Sequence, residues 1–216
     1  MNIIDFSKSN SVINQFVLEI RDKQIQQNRL LFRRNINRIG ELMAYEISKS
    51  LDYEVRNVNT VLGTAQCSVP KDQIVLGTIL RAGLPFHQGF LDIFDNADNA
   101  FVSAYREYTD ETHFDVYTEY LASPRIDDKT LIMVDPMLAT GTSLQLALEA
   151  MQTKGKPSRI IIAAVIAAQP AIENLKNFLP DDAEVYCAAI DDQLNEHYYI
   201  VPGLGDAGDL LYGGKD

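Results

Sequence analysis

Positive charge is scarce in this chain. Against 30 Asp and Glu stand 19 Lys and Arg, for a net charge of −11. A broad footprint on nucleic acid needs clustered cations, so nucleic acid is not an expected partner. The densest basic stretch, "RLLFRRNINR", reads as one face of a helix or as a local anion patch. Cysteine is scarcer still. Cys67 and Cys187 lie far apart in apolar contexts, and the expectation is two buried thiols rather than a disulfide or metal pair. No apolar run approaches the length that spans a membrane, and the first residues lack the regions of a secretion signal. No membrane partner and a cytoplasmic location are therefore expected. Repeats and low-complexity linkers are missing too, and 216 residues suit one domain with an ample core.

What is present is an alternation. Residues 11–51 are helical in pattern, with Leu31, Ile36, Ile39, Leu42, Met43 and Ile47 spaced for one apolar face. Residues 53–69 are rich in β-branched side chains around a central "LGT", which predicts a hairpin. Then "QIVLGTIL", "NAFVSAY", "TLIMVD", "SRIIIAAVIAA" and "AEVYCAAI" read as strands, with helices over 84–94, 142–154 and 171–178. Continuous apolar strands alternating with helices predict an α/β fold: a parallel sheet flanked by helices on both faces. Ligands of such sheets sit beyond the carboxyl ends of the strands. Residues 106–123 break the pattern with charge and tyrosine. They read as a projecting hairpin, as a flap over a site, or as a surface excursion without a role.

The stretch "MVDPMLATGTS" combines an acid at a strand end with small and hydroxylic residues opening a helix. Gly141 permits backbone conformations that other residues resist. The first N–H groups of a helix have no partner within it, and the helix dipole favours an anion there. Thr140, Thr142 and Ser143 add hydroxyl donors. The stretch lacks the Gly-Lys-Ser/Thr of a nucleoside-triphosphate loop. Asp135, one short loop away, would repel a phosphate placed beside it. At a sugar's length it can accept two ribose hydroxyls. The spacing thus suggests a ribose 5-phosphate, the alternative being an ordinary helix cap after a strand-end aspartate.

"VDPMLATGTS" resembles the 5-phospho-α-D-ribose 1-diphosphate (PRPP) loop of the uracil phosphoribosyltransferases, in which acid then proline stands where other phosphoribosyltransferases carry two acids. Two further segments match in the same order. "TILRAGLPFHQGF" resembles the family's "LRAGL" segment, with Pro85 where the family often has glycine. "YYIVPGLGDAGDLLYG" resembles its uracil loop, with Leu210 where many relatives carry a basic residue. "SAYRE" resembles the segment at the base of the family's flexible arm. The resemblance runs from about residue 30 to the C-terminus.

The resemblance implies a type I phosphoribosyltransferase fold over residues 1–216. It would have N-terminal helices over 1–51, a flexible arm over 107–120 and a uracil-binding loop over 198–214. Five of the chain's 12 glycines lie in its last fourteen residues, so this tail is expected as a shaped loop rather than a helix. The implied reaction is uracil plus PRPP giving UMP and diphosphate. PRPP would be held by Arg81, Arg106, Asp135, Pro136, Met137, Leu138, Ala139, Thr140, Gly141, Thr142, Ser143 and Asp206. Uracil would be held through the main chain at Ile200, Gly205, Asp206 and Ala207. Asp135, Arg81, Arg106 and Asp206 are the candidate catalytic residues. A backbone N–H aimed at uracil O4 would meet cytosine's amino group donor to donor, which can reject the wrong base by roughly 10⁴ or more. Mg²⁺ is expected as a cofactor carried by PRPP rather than held by protein. A homodimer or larger homo-oligomer is implied, and GTP is a candidate effector. Asp191, Glu196 and His197 read as structural, and His87 and His113 have no assigned role. A phosphoribosyltransferase for another base, or a PRPP- or nucleotide-sensing regulator, would share the PRPP loop.

Overall fold

The computed structural model of the chain describes residues 1–108 and 114–214, the side chains of 104–108 and 114–119 excepted. Among the described residues, a seven-stranded sheet forms the centre. In chain order the strands are β1 (Asn2–Asp5), β2 (Tyr53–Asn59), β3 (Thr64–Pro70), β4 (Ile74–Ile79), β5 (Asp98–Tyr108), β6 (Phe114–Ala122), β7 (Thr130–Leu138), β8 (Arg159–Ala168), β9 (Glu184–Asp191), β10 (Gln193–Leu194) and β11 (Ile200–Val201). The central sheet runs β1-β9-β8-β7-β4-β5-β6. All neighbours are parallel except β5 and β6, which are antiparallel.

Strand periodicity sorts the core into two layers. Ile132 and Val134 of β7, with Ile161, Ala163 and Val165 of β8, pack against α1 (Val12–Arg21), α2 (Arg29–Ser48) and α3 (Leu84–Leu91). Leu131, Met133, Ile162 and Ala164 pack on the opposite side against α4 (Thr142–Gln152) and α5 (Gln169–Leu175). Beyond Val134 the alternation slips by one: Met137 and Ala139 lie on the α1–α3 side and Leu138 on the other. A slip of one residue exchanges the faces of a strand. Here it turns Met137 and Ala139 toward the side where the chain's tail packs.

Several expectations change. The first helical region is two helices, because Asp22 Oδ1 accepts from Gln24 and Ile25 N–H (2.8 and 3.0 Å) and Asn28 caps α2 through Leu31 N–H at 3.1 Å. Residues 1–51 also hold a strand: β1 adds to the sheet edge beside β9, from Asn2 opposite Glu184 to Asp5 opposite Cys187. β7 does not stop at Asp135 but pairs with β8 as far as Leu138. The glycine-rich tail contains a helix, α6 (Ala207–Tyr212), started by Asp206, whose Oδ1 accepts Asp209 N–H at 2.9 Å. Cys67 is exposed rather than buried, since it lies on the β2–β3 hairpin, which has no sheet neighbour; Cys187 is buried. No helix among the described residues is long and apolar enough to cross a membrane.

Candidate active site

The carboxyl ends of β4 and β7 and the tail from Tyr198 meet around one cavity of about 240 Å³. Ala82 comes from the turn after β4, Met137 and Ala139 from the end of β7, and Ile200, Gly205, Asp206 and Ala207 from the tail. A larger cavity of about 830 Å³ lies by the amino end of β8, around Lys156, Arg159 and Phe178, and holds no motif residue.

All four residues of the expected base reader line the small cavity, and Asp206 serves both expected sets. Of the remaining expected PRPP residues, Met137 and Ala139 line it, while Pro136 and Leu138 are buried. Leu138 belongs to the core beside Leu144, so only its main chain is available to a ligand. Residues 139–143 lead into α4, whose cap is Gly141 at φ +80° with no side-chain cap bond. No acidic residue stands in the first turn. That leaves an N-terminus suited to an anion. Thr140 and Thr142 hydroxyls lie 3.0 Å apart, and Ser143 is exposed. Asn174 of α5 donates to the Thr140 carbonyl at 3.0 Å and holds the loop from behind.

Asp135 is partly buried inside β7, and its Oδ1 accepts Met137 N–H at 3.3 Å. Burial pushes its carboxyl up to about 7, against which that single backbone donor works weakly. Arg81 follows β4, with its guanidinium over the start of α6: Nη2 is 3.9 Å from Asp209 Oδ1. A Cβ added at Gly208 would stand 3.7 Å from the same nitrogen and 3.1 Å from Asp206 Oδ1. The cation expected at the PRPP end therefore sits beside the loop expected to read the base. Arg106 is on β5, paired in register with Val116; its side chain lies outside the described residues, as do His113 and residues 109–113 of the expected arm.

Tyr198 and Tyr199, inside the expected loop but given no role of their own there, line the cavity with Ala82 and Gly208. The signal was an aromatic pair directly before Ile200. Asp191 is 8% exposed and accepts Gly203 N–H at 2.9 Å. His87 lies in the core with Nε2 2.7 Å from Asn99 Oδ1, and His197 is exposed beside Glu196.

A family model described as uracil phosphoribosyltransferase matches residues 7–214. A uracil phosphoribosyltransferase of Porphyromonas gingivalis is 58% identical over 215 residues, all of both chains. One of Methanothermobacter thermautotrophicus is 40% identical over 184 residues, 84% of this chain and 83% of its own. Among solved structures, a protein of Aquifex aeolicus superposes with a TM-score of 0.85 at 30% identity, covering 98% of each chain. A hypoxanthine phosphoribosyltransferase of Staphylococcus aureus superposes with a TM-score of 0.51 at 16% identity over 75% of this chain and 76% of its own, which speaks to the fold alone.

Proposed function

Since the chain belongs to the uracil phosphoribosyltransferase family, we propose that its cavity holds uracil against PRPP for transfer of the phosphoribosyl group, releasing UMP and diphosphate. One observation carries the assignment of residues: the turn after β4, the end of β7 and the tail share a single cavity. The open N-terminus of α4 takes the 5′-phosphate. Asp135 accepts the ribose hydroxyls. Arg81 and Arg106 take the diphosphate, for which a planar guanidinium fork is suited. Main-chain groups at Ile200, Gly205, Asp206 and Ala207 read uracil.

Breaking the C1–O bond builds positive charge on the ribose and negative charge on the diphosphate. Uracil N1 attacks C1 from the opposite face, so the centre inverts, and the N1 proton leaves to the departing diphosphate or to solvent. No nucleophilic side chain is required. Positioning and fixed charge supply the acceleration. Mg²⁺ on PRPP supplies further neutralisation of the leaving group. The donors suit an ion brought in on PRPP: among the described residues no three His, Cys, Asp or Glu side chains gather to hold one, and Pro136 follows Asp135. Two free thiols, one exposed, suit a reducing compartment, and we assign the reaction to the cytoplasm.

The direct test is steady-state turnover with PRPP and Mg²⁺ against a panel of bases, with and without GTP. UMP is expected from uracil alone. A protein that makes no UMP, or uses cytosine or hypoxanthine as readily, does not fit this reading.

The β2–β3 hairpin is the surface we assign to self-association. It forms its own two-stranded sheet, and Val61 and Leu62 at its tip are 100% and 98% exposed. A lone hairpin is marginal in water, and exposed apolar clusters mark contacts. Val61→Asp with Leu62→Asp is expected to reduce the mass in sedimentation to that of one 24.2 kDa chain. A wild-type protein already of that mass would refute the assignment.

A further inference from the structure

Main-chain reading of a base has a demanding requirement. No rotamer can adjust, so the backbone itself must be held to within a fraction of an ångström. What holds it comes from the other end of the chain. Arg21, the last residue of α1, meets Asp191, the last residue of β9, through both ends of its fork: Nη1 to Oδ2 at 2.8 Å and Nη2 to Oδ1 at 2.7 Å. The pair closes around one residue of the tail, gripping the two peptide groups on either side of its Cα. Gly203 N–H donates to Asp191 Oδ2 at 2.9 Å, and Arg21 Nη1 donates to Gly203 O at 3.0 Å. Gly203 has φ +56°, and an added Cβ would lie 2.1 Å from Ile200 O, so the turn here tolerates only glycine. Just beyond Arg21, the Gln26 side-chain nitrogen, in its hydrogen-bonding orientation, lies 3.0 Å from both Ile20 O and Leu204 O.

We infer that Arg21 and Asp191 are positioning residues for base recognition, clamping the Gly203 backbone so that Gly205, Asp206 and Ala207 present a fixed array to the pyrimidine. The inference rests on the functional reading above. A purely stabilising role is the competing account, and energetics weigh against it. An ion pair this buried, with side-chain exposures of 21% and 8%, contributes little net stability compared with a well-packed apolar pair. What an apolar pair cannot supply is a donor and an acceptor for Gly203. The bidentate geometry also fixes direction, which a lysine's point charge does not.

The test uses Arg21→Lys, Arg21→Gln and the double variant Arg21→Met/Asp191→Leu, which removes both charges together and guards against a misfolded single variant. KM for uracil and for PRPP is measured in each, alongside melting temperature. Losing charge-assisted hydrogen bonds to the loop is expected to raise the uracil KM about tenfold or more while the PRPP KM stays within about twofold. Arg21→Lys is expected to lie nearer Arg21→Gln than wild type. The inference is overturned if the uracil KM is unchanged, or if both constants rise together as the melting temperature falls. A wild-type protein that turns over a different base would overturn the functional reading instead, and the clamp is then judged on that base's KM.

Discussion

Asp135→Asn is expected to cut turnover on the order of 10³-fold and, in the ligand-free protein, to raise the melting temperature at neutral and alkaline pH. Both effects have one cause. The carboxyl is buried with one weak backbone donor, and its pKa is raised from 3.8 to about 7. Below the unfolded value both states are protonated, and the group is neutral toward stability. Between about pH 4 and 7 the folded state keeps a proton that the unfolded state has lost, so stability falls as pH rises through that window, and above it the loss is constant. Asparagine has the same shape and no charge to bury, so its advantage should grow from about pH 4 to 7 and then level off. On the proposed reading, sugar hydroxyls donated to the carboxylate supply the compensation. PRPP binding just below neutrality should accordingly expel a proton, which calorimetry in buffers of different ionisation enthalpy reads directly. Near-wild-type turnover, or a melting difference that ignores pH, would refute this account.

Arg81 should give the opposite signature. Its side chain is 41% exposed, and its acidic neighbour Asp209, at 3.9 Å, is beyond hydrogen-bond range. Exposed pairs of this kind contribute roughly 0–1 kcal/mol to stability. Arg81→Ala should therefore leave the melting temperature nearly untouched while costing about 10²–10³ in rate, the value of one preorganised donor to a developing anion. Arg81→Lys keeps the charge but loses the planar fork, and should fall well short of wild type. The measurement is kcat/KM for PRPP beside a thermal melt. An alanine variant within about threefold of wild type would remove Arg81 from the leaving-group site.

The tail cannot be tested by simple deletion. Ile200, Leu204, Ala207 and Leu211 are all buried in the α1–α3 core, so removing residues 199–216 would strip the fold as well as the proposed base reader.

Strands β4, β7, β8 and β9 were legible because each is built on a run of mostly apolar residues that is largely buried on both faces. The loop proposed for PRPP was legible because an acid, a proline and a run of small residues form a rare combination. What escaped was set by distant partners. β1 is four residues long, and its only reason to be a strand is β9, whose residues lie about 180 positions away in sequence. α6 hid behind glycines, although Asp206 followed three residues on by Asp209 is a helix start in its own right. The continuation of β7 past Pro136 contradicts the usual avoidance of proline in central strands. It succeeds where Asp135 and Met137 both pair with β8 and the side-chain alternation slips. Cys67 sits in a hairpin with no core of its own, so its apolar neighbours gave the wrong cue. Arg21 could not be found at all from sequence, because its meaning lies in Gly203, 182 positions downstream.

That distance has a bearing on redesign. A tail transplanted from a relative with another base preference would arrive without the α1 that braces it. Swaps confined to the last twenty residues should yield proteins that grip the sugar yet discriminate poorly between nucleobases. If the clamp acts as inferred, exchanging the two termini as a matched set should move specificity intact.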